Sequence, residues 1–380
     1  MKRVIVLMMI FLTMFSFKKV DASENLIVNG KAGLLMEANS GEIIFEKNKD
    51  ERLAVASMTK MVGLIIIMEK IENKEISLDD IVTASKNASG MGGSQIYLET
   101  GEKMTVRDLI KGITMASAND ATVAMAEYIA GTEEKFVEMM NEKVKSLGLV
   151  NTNFVNVTGL DEDNHYSSGY DMAMIARELL KHEMIYDFTS VYEDYLRVNT
   201  DNKFWLVNTN RLVNLYEGAD GLKTGFTDAA GYCMAVTAKR GNMRLIAIVL
   251  GEEKGSVRNE ETAELLDYGF NNYKVINLKE KDSVVDSIKF EKSTVNNVNI
   301  YLERDASVLM KNSDNENGYD TLIEIDNIKL PLSSNDIVGK FLIKKNGSVI
   351  DEINLIVKDS VKAKNFFQLF IDILKNTLYI

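Results

Sequence analysis

A single cysteine, Cys233, denies this chain any intrachain disulfide, so the fold must stand on packing alone. It lies in the apolar run Gly231-Tyr232-Cys233-Met234-Ala235-Val236, which reads as a buried structural thiol rather than a nucleophile. Histidine is nearly as scarce. Only His165 and His182 occur, and there is no His-Glu-x-x-His, so a zinc-peptidase site lacks its ligands. The segment Asn164-His165-Tyr166-Ser167-Ser168 reads as a hydrogen-bonded loop rather than part of a Ser-His-Asp triad. Nor is there a phosphate-binding loop, because Gly90-Met91-Gly92-Gly93 lacks the Gly-Lys-Ser/Thr ending and reads instead as the rim of a cleft. No metal and no cofactor are expected. One proline, Pro331, and the lack of any Gly/Ser-rich stretch leave no obvious linker. Basic residues are in deficit, 44 Lys and Arg against 56 Asp and Glu, and a net charge of −12 argues against nucleic acid as a partner.

What is present begins with an export signal. Lys2 and Arg3 precede an apolar run from Val4 to Phe17, and Val20-Asp21-Ala22 offers a cleavage site, so residues 1–22 read as a signal peptide with the mature chain starting near Ser23. The run is too short for a membrane anchor and ends at Lys18 and Lys19. Removing it leaves 40 basic and 55 acidic residues, a net charge of −15. At 380 residues the chain is long for one domain.

Periodicity supplies the organisation. Ala32–Ala38 and Glu42–Glu46 flank Asn39-Ser40-Gly41 as a hairpin. From Ser57 to about Asn73 the pattern is helical, with Met61, Leu64, Ile65, Met68 and Ile71 on one face. Further helices are predicted over Val106–Ser117, Ala121–Ile129 and Glu133–Leu147, and strands over Gly231–Lys239 and Met243–Gly251. After about Lys274 short alternating runs of Val, Ile, Asn and Lys, with an Asn346-Gly347 turn, predict an all-β module over 274–358. In the tail, 359–380, a helix from Asn365 would gather Gln368, Asp372, Lys375 and Asn376 on a narrow polar wedge and cover the rest with Phe, Ile and Leu. It is too short to span a bilayer and suits the membrane interface.

Three motifs carry the chemistry: Ser57-Met58-Thr59-Lys60, Ser117-Ala118-Asn119 and Lys223-Thr224-Gly225. Singly each is weak, since Ser16 also precedes a lysine by three residues and Ser-x-Asn recurs at Ser23, Ser85, Ser313 and Ser333. Their order and their placement beside rigid elements lift the set above that background. A serine hydroxyl needs a base, and Lys60, one helical turn after Ser57, can serve if its amine is neutral. Burial and a second cation, Lys223, would both lower its pKa. Ser117 can relay a proton to the leaving amine, and the Asn119 amide can hold Lys60 and a substrate carbonyl. Lys223 and Thr224 lie on a predicted edge strand able to bind a peptide by strand addition, Gly225 would admit the substrate backbone, and the N–H groups of Ser57 and Phe226 suit an oxyanion.

With those motifs the chain resembles the D-alanyl-D-alanine carboxypeptidases, the low-molecular-mass penicillin-binding proteins of serine peptidase family S11. The likeness runs from about Asn25 to Phe270 and includes Asn156-Val157-Thr158-Gly159-Leu160, His165-Tyr166-Ser167, Asp220-Gly221-Leu222, Ala230-Gly231-Tyr232 and Leu265–Phe270. It implies an α+β fold: a β-lactamase/transpeptidase-like domain (23–273), an antiparallel sheet packed with helices, followed by the small all-β domain and the amphipathic anchor helix. It also implies that Arg258 binds the substrate carboxylate. The implied reaction removes the terminal D-alanine from peptidoglycan stem pentapeptides through an acyl-enzyme on Ser57, which β-lactam antibiotics would also acylate. The implied location is the outer face of the cytoplasmic membrane, within the cell wall. One departure is Val55, where relatives usually carry proline. A class A β-lactamase shares the motifs but carries a Glu-x-x-Leu-Asn loop, whereas this chain has Asn151-Thr152-Asn153-Phe154-Val155-Asn156. A catalytically silent wall-binding scaffold is the rival from another class.

Overall fold

The structure is a computed structural model and describes residues 26, 29–290 and 292–378, so the expected leader, residues 1–22, lies outside the described residues. Strand β1 (Ala32–Glu37) turns through Asn39-Ser40-Gly41 into β2 (Ile43–Lys47), as the hairpin signal predicts. Two small hairpins follow among the helices, β3 (Ile81–Thr83) with β4 (Lys103–Thr105) and β5 (Glu193–Leu196) with β6 (Phe204–Val207). Three long strands, β7 (Ala219–Thr227), β8 (Gly231–Arg240) and β9 (Met243–Glu252), complete an antiparallel sheet in the order β2-β1-β9-β8-β7. The Lys223-Thr224-Gly225 motif therefore occupies an edge strand.

Both faces of this sheet are covered. Along β9, Ile246, Ile248 and Leu250 enter the large core shared with the main helices, while Leu245, Ala247 and Val249 enter a second core under the helix Gly255–Asn272. Period-2 alternation of strand side chains thus feeds two cores, which is why β8 and β9 read as unbroken apolar runs. Two helices were not resolved by periodicity: Gly169–Leu179, and Gly255–Asn272, which carries charged residues along much of its length.

The nucleophile segment also differs from expectation. A 3₁₀ turn, Ala56–Thr59, precedes the α-helix Lys60–Glu72, and every residue from Lys60 to Met68 is buried. One apolar face was predicted, but Val62, Gly63, Ile66 and Ile67 are enclosed too, because the helices Glu133–Ser146 and Gly169–Leu179 pack around it. A helix apolar all round belongs in a core, and here it is the rigid axle of the larger body.

The helix Gly255–Asn272 passes directly into β10 (Tyr273–Lys279), which pairs with β13 (Ala306–Lys311). Beyond it, β11 (Asp286–Lys289), β12 (Asn297–Leu302), β14 (Tyr319–Ile325), β15 (Ile337–Lys345) and β16 (Ser348–Ile356) form a sheet in the order β11-β12-β16-β15-β14 around its own core of Ile300, Phe341, Ile343 and Leu355. The two bodies meet at the first hairpin. Asn39 Nδ2 donates to Asp305 O at 2.9 Å and to Ser307 Oγ at 2.5 Å. Arg177 grips the Ala38 and Asn39 carbonyls at 2.7 and 2.6 Å, and the buried Glu37 carboxylate accepts from the backbone N–H groups of Asn39 and Ser40. The last helix, Phe366–Leu378, turns Phe366, Phe367, Phe370, Ile371 and Leu374 toward solvent. The side chains of Asp372, Ile373, Lys375, Asn376 and Leu378, and all of Ile380, lie outside the described residues, so the expected polar wedge is seen only at Gln368. No helix among the described residues is long and apolar enough to cross a membrane.

Candidate active site

The sequence places Ser57 at the mouth of a buried helix, and the structure sets it there under strain. Ala56, just before it, has φ of 49°, a left-handed backbone that a residue with a Cβ rarely adopts. Two glycines hold this turn. A Cβ on Gly159 would stand 1.9 Å from Ala56 O, and one on Gly225 would stand 2.8 Å from Val55 O and 3.1 Å from Ser57 N. Gly225 therefore lets β7 lie against the nucleophile turn, a different task from the expected one of admitting substrate backbone. Its neighbour Phe226 is brought beside Ser57 in consequence.

Lys60 is fully buried, and its Nζ donates to Ser57 Oγ at 2.7 Å and to Thr158 O at 2.8 Å. Those two bonds go to Ser57 and Thr158 rather than to Asn119, whose Nδ2 donates instead to Gly92 O at 2.8 Å. Asn119 Oδ1 is buried and accepts from no group among the described residues. Burial drives the Lys60 amine well below the ordinary lysine range, and the charge of Lys223 pushes it further, against a smaller opposing pull from Asp120. Lys223 is itself lowered to about 7, by burial first and by Arg258 second. Its Nζ donates to Thr224 O at 2.8 Å. Arg258 is buried with Nη1 3.5 Å from Cys233 O, its guanidinium 5.9 Å from the Tyr232 ring centroid and two of its nitrogens on Asn259 Oδ1. None of Lys60, Lys223 and Arg258 has a carboxylate salt-bridge partner among the described residues. Lys223 and Arg258, buried without counter-ions among the described residues of a chain of net charge −12, make a local basin for an anion.

Ser117 sits at the corner between the helices Val106–Met115 and Asn119–Ala130, buried and again left-handed, with φ of 59°. Its corner is pinned on both sides, by Ala118 N–H to Gly112 O and by Asn119 N–H to Ser94 O. Asp120, the next residue, accepts from the N–H groups of Ile96 and Leu98 and so fixes the wall beyond the glycine rim. Thr209 joins the second motif to the third: its N–H donates to Met115 O, and its hydroxyl accepts from Thr224 Oγ1 at 2.8 Å.

His165 has no part in a triad. Its Nδ1 accepts from Val155 N–H at 3.2 Å, so Nε2 carries the proton and donates to Thr59 Oγ1 at 2.8 Å, and burial lowers its pKa to about 4. It braces the back of the nucleophile turn as a neutral ring. Cys233 is buried and its thiol is pushed up to about 11, which leaves it inert.

The sequence profile of the D-alanyl-D-alanine carboxypeptidase family, peptidase S11, matches residues 18–254. The chain belongs to that family. Residues 273–363 match the C-terminal domain of penicillin-binding protein 5. Among characterised carboxypeptidases, DacF of Bacillus subtilis is 44% identical over 366 residues, spanning 96% of this chain and 93% of its own. Penicillin-binding protein 5 from Haemophilus influenzae superposes with a TM-score of 0.71 at 30% identity, covering 88% of this chain and 98% of its own. Penicillin-binding protein D2 from Listeria monocytogenes, in its ampicillin-bound form, gives 0.58 at 33% identity over 65% of this chain and 99% of its own.

Within this carboxypeptidase framework, sequence reasoning missed the supports. Thr158, Gly159, Asp120 and Thr209 act through backbone carbonyls, close approach or buried hydrogen bonds, none of which has a residue-type signature. Asn156, Thr158 and Gly159 share a segment already singled out, but without the roles seen here, in which Asn156 Oδ1 accepts from the Thr158 and Gly159 N–H groups.

Because Lys223 contributes to the lowering of Lys60, Lys223→Gln is expected to raise the Lys60 pKa. The neutral amine then forms only at higher pH, and the acid limb of acylation by a chromogenic β-lactam shifts to the alkaline side. Stopped-flow acylation rates across pH measure this; an unmoved limb would show that burial alone sets the Lys60 proton.

Proposed function

We propose that this D-alanyl-D-alanine carboxypeptidase works through Ser57 as nucleophile, with neutral Lys60 as the base that takes its proton. The observation that carries this reading is the 2.7 Å contact between a fully buried Lys60 amine and Ser57 Oγ, beside a second cation and with no carboxylate salt-bridge partner among the described residues. Ser57 Oγ attacks the carbonyl of the penultimate D-alanine of a peptidoglycan stem peptide. The oxyanion forms between the backbone N–H groups of Ser57 and Phe226, held together by the close approach at Gly225. Ser117 relays to the departing D-alanine amine the proton that Lys60 took from Ser57 as the C–N bond breaks, and Asn119 steadies the substrate amide. Water then cleaves the ester through the same groups in reverse. The free carboxylate of the substrate rests on Lys223, Thr224 and Arg258, where a guanidinium fork and an ammonium await an anion. A β-lactam enters the same cleft and acylates Ser57.

The amphipathic tail supports a location at the outer face of the cytoplasmic membrane, reached after export and removal of residues 1–22. Its exposed phenylalanines at 366, 367 and 370 form an apolar surface fit for the lipid interface.

Ser57→Ala is expected to abolish both D-alanine release and labelling by a fluorescent penicillin, read by chromatography and in-gel fluorescence; retained labelling would remove Ser57 from the mechanism. Arg258→Ala is expected to lower kcat/KM by about 10–100-fold for peptides ending in a free carboxylate, and far less for their C-terminal amides. An equal loss on both would separate Arg258 from carboxylate recognition. Truncation after Asn365 is expected to release the mature chain from phospholipid vesicles in a flotation assay without loss of soluble activity. Continued flotation would place the membrane contact elsewhere.

A further inference from the structure

The sole tryptophan of the chain, Trp205, is 57% exposed. Large aromatic side chains are seldom left so open on a folded surface. Trp205 lies on β6 directly opposite Tyr195 of β5, which is 41% exposed. The alternation of this hairpin puts Glu193, Tyr195, Trp205 and Val207 on one face, and Asp194, Leu196, Phe204 and Leu206 on the other. The second face anchors the hairpin. Leu196 and Leu206 are buried, the Phe204 ring meets Tyr97 edge-on at 5.9 Å, and Asp194 pairs with Lys111 at 2.7 Å. The first face is left to solvent with its rings fixed: Trp205 Nε1 donates to Glu193 Oε2 at 3.2 Å, and Lys203 Nζ stands 3.7 Å from the Tyr195 ring centroid.

We propose that this face is a platform for the amino-sugar chain of peptidoglycan, a binding site distinct from the peptide cleft. The proposal rests on the reading above that wall polymer is the substrate. A pyranose ring offers an apolar C–H face and a rim of hydroxyl and acetamido groups. Fixed aromatic rings flanked by a carboxylate and an ammonium match both parts. Glu193 beside the rings, within a chain of net charge −12, disfavours anionic lipid and nucleic acid as occupants. The platform is also continuous with the cleft. Thr209 follows Trp205 by four positions, at most about 14 Å of extended chain, and bonds Thr224 of the third motif. A glycan strand on the rings would hold the polymer to which stem peptides are attached within reach of Ser57.

Because Trp205 is the only tryptophan, its emission reports on the site directly. In the Ser57→Ala full-length mature chain, titration with peptide-free glycan strands, or with N-acetylglucosamine hexamer, is expected to shift and saturate the emission. A sugar-free stem pentapeptide is expected to leave it unchanged. Tyr195→Ala, which keeps the fluorophore, is expected to weaken the glycan response about tenfold or more. In the active enzyme, Trp205→Ala is expected to change kcat/KM for the soluble pentapeptide by less than about twofold while D-alanine release from intact polymer falls about tenfold. No saturable glycan response, an equal response from Tyr195→Ala, or a shift with anionic vesicles and none with glycan would each overturn the platform. The binding titration needs no turnover, so a chain that bound glycan but released no D-alanine would refute the hydrolytic reading and leave the platform standing.

Discussion

The whole site depends on keeping one amine out of water without giving it a carboxylate. Lys60 loses hydration because its helix is enclosed on every side, and the groups it meets, a serine hydroxyl and the Thr158 carbonyl, accept hydrogen bonds without supplying a full negative charge. An isolated buried ammonium is so costly that the group neutralises instead. In the proposed mechanism that neutralisation is the catalytic resource. A salt bridge to Lys60 would stabilise its charge and remove the base, so the absence of a paired acid is as much a part of the design as the lysine itself.

Such an amine needs a wall that does not yield, and the wall is built from backbone. Gly159 and Gly225 press the Thr158 loop and β7 against the nucleophile turn at distances no Cβ would allow. Ala56 and Ser117, left-handed on either side of the cleft, are held in place by contacts around them rather than by their own preferences. Packing density thus passes from the large core, through the nucleophile helix, to the position of a single hydroxyl. Neutral His165 belongs to this support, tying Thr59 to the chain at Val155.

The residues proposed to react could be named from the sequence because acyl transfer requires particular functional groups at fixed helical and strand spacings. Ser57, Lys60, Ser117, Asn119 and the Lys223 strand could be named for that reason, and the hairpins at Asn39-Ser40-Gly41 and Asn346-Gly347 by the same kind of local rule. What remained hidden has no local rule. The helix Gly255–Asn272 spreads charged residues along its length and earns its burial only at Arg258, Glu261, Thr262, Leu265, Leu266 and Gly269. Thr158 contributes a carbonyl, which every residue has. Gly225 looked like an opening for substrate because a strand next to a cleft suggests a ligand, whereas the nearest backbone is the protein's own.

In the proposed mechanism activation and recognition share their cations, and that sharing poses a conflict. A substrate carboxylate settling on Lys223 and Arg258 cancels part of the field that keeps Lys60 neutral, just when neutrality is needed. The relative weights of the two causes resolve it. Burial is the larger influence on Lys60 and Lys223 the smaller, so most of the lowering survives the arrival of an anion. The same arrival also excludes water from the cleft, which deepens the desolvation of the amine. The carboxylate therefore weakens the minor contribution while its carrier reinforces the major one. A site that relied chiefly on cation repulsion would switch itself off on binding; one that relies chiefly on burial can use those cations for recognition.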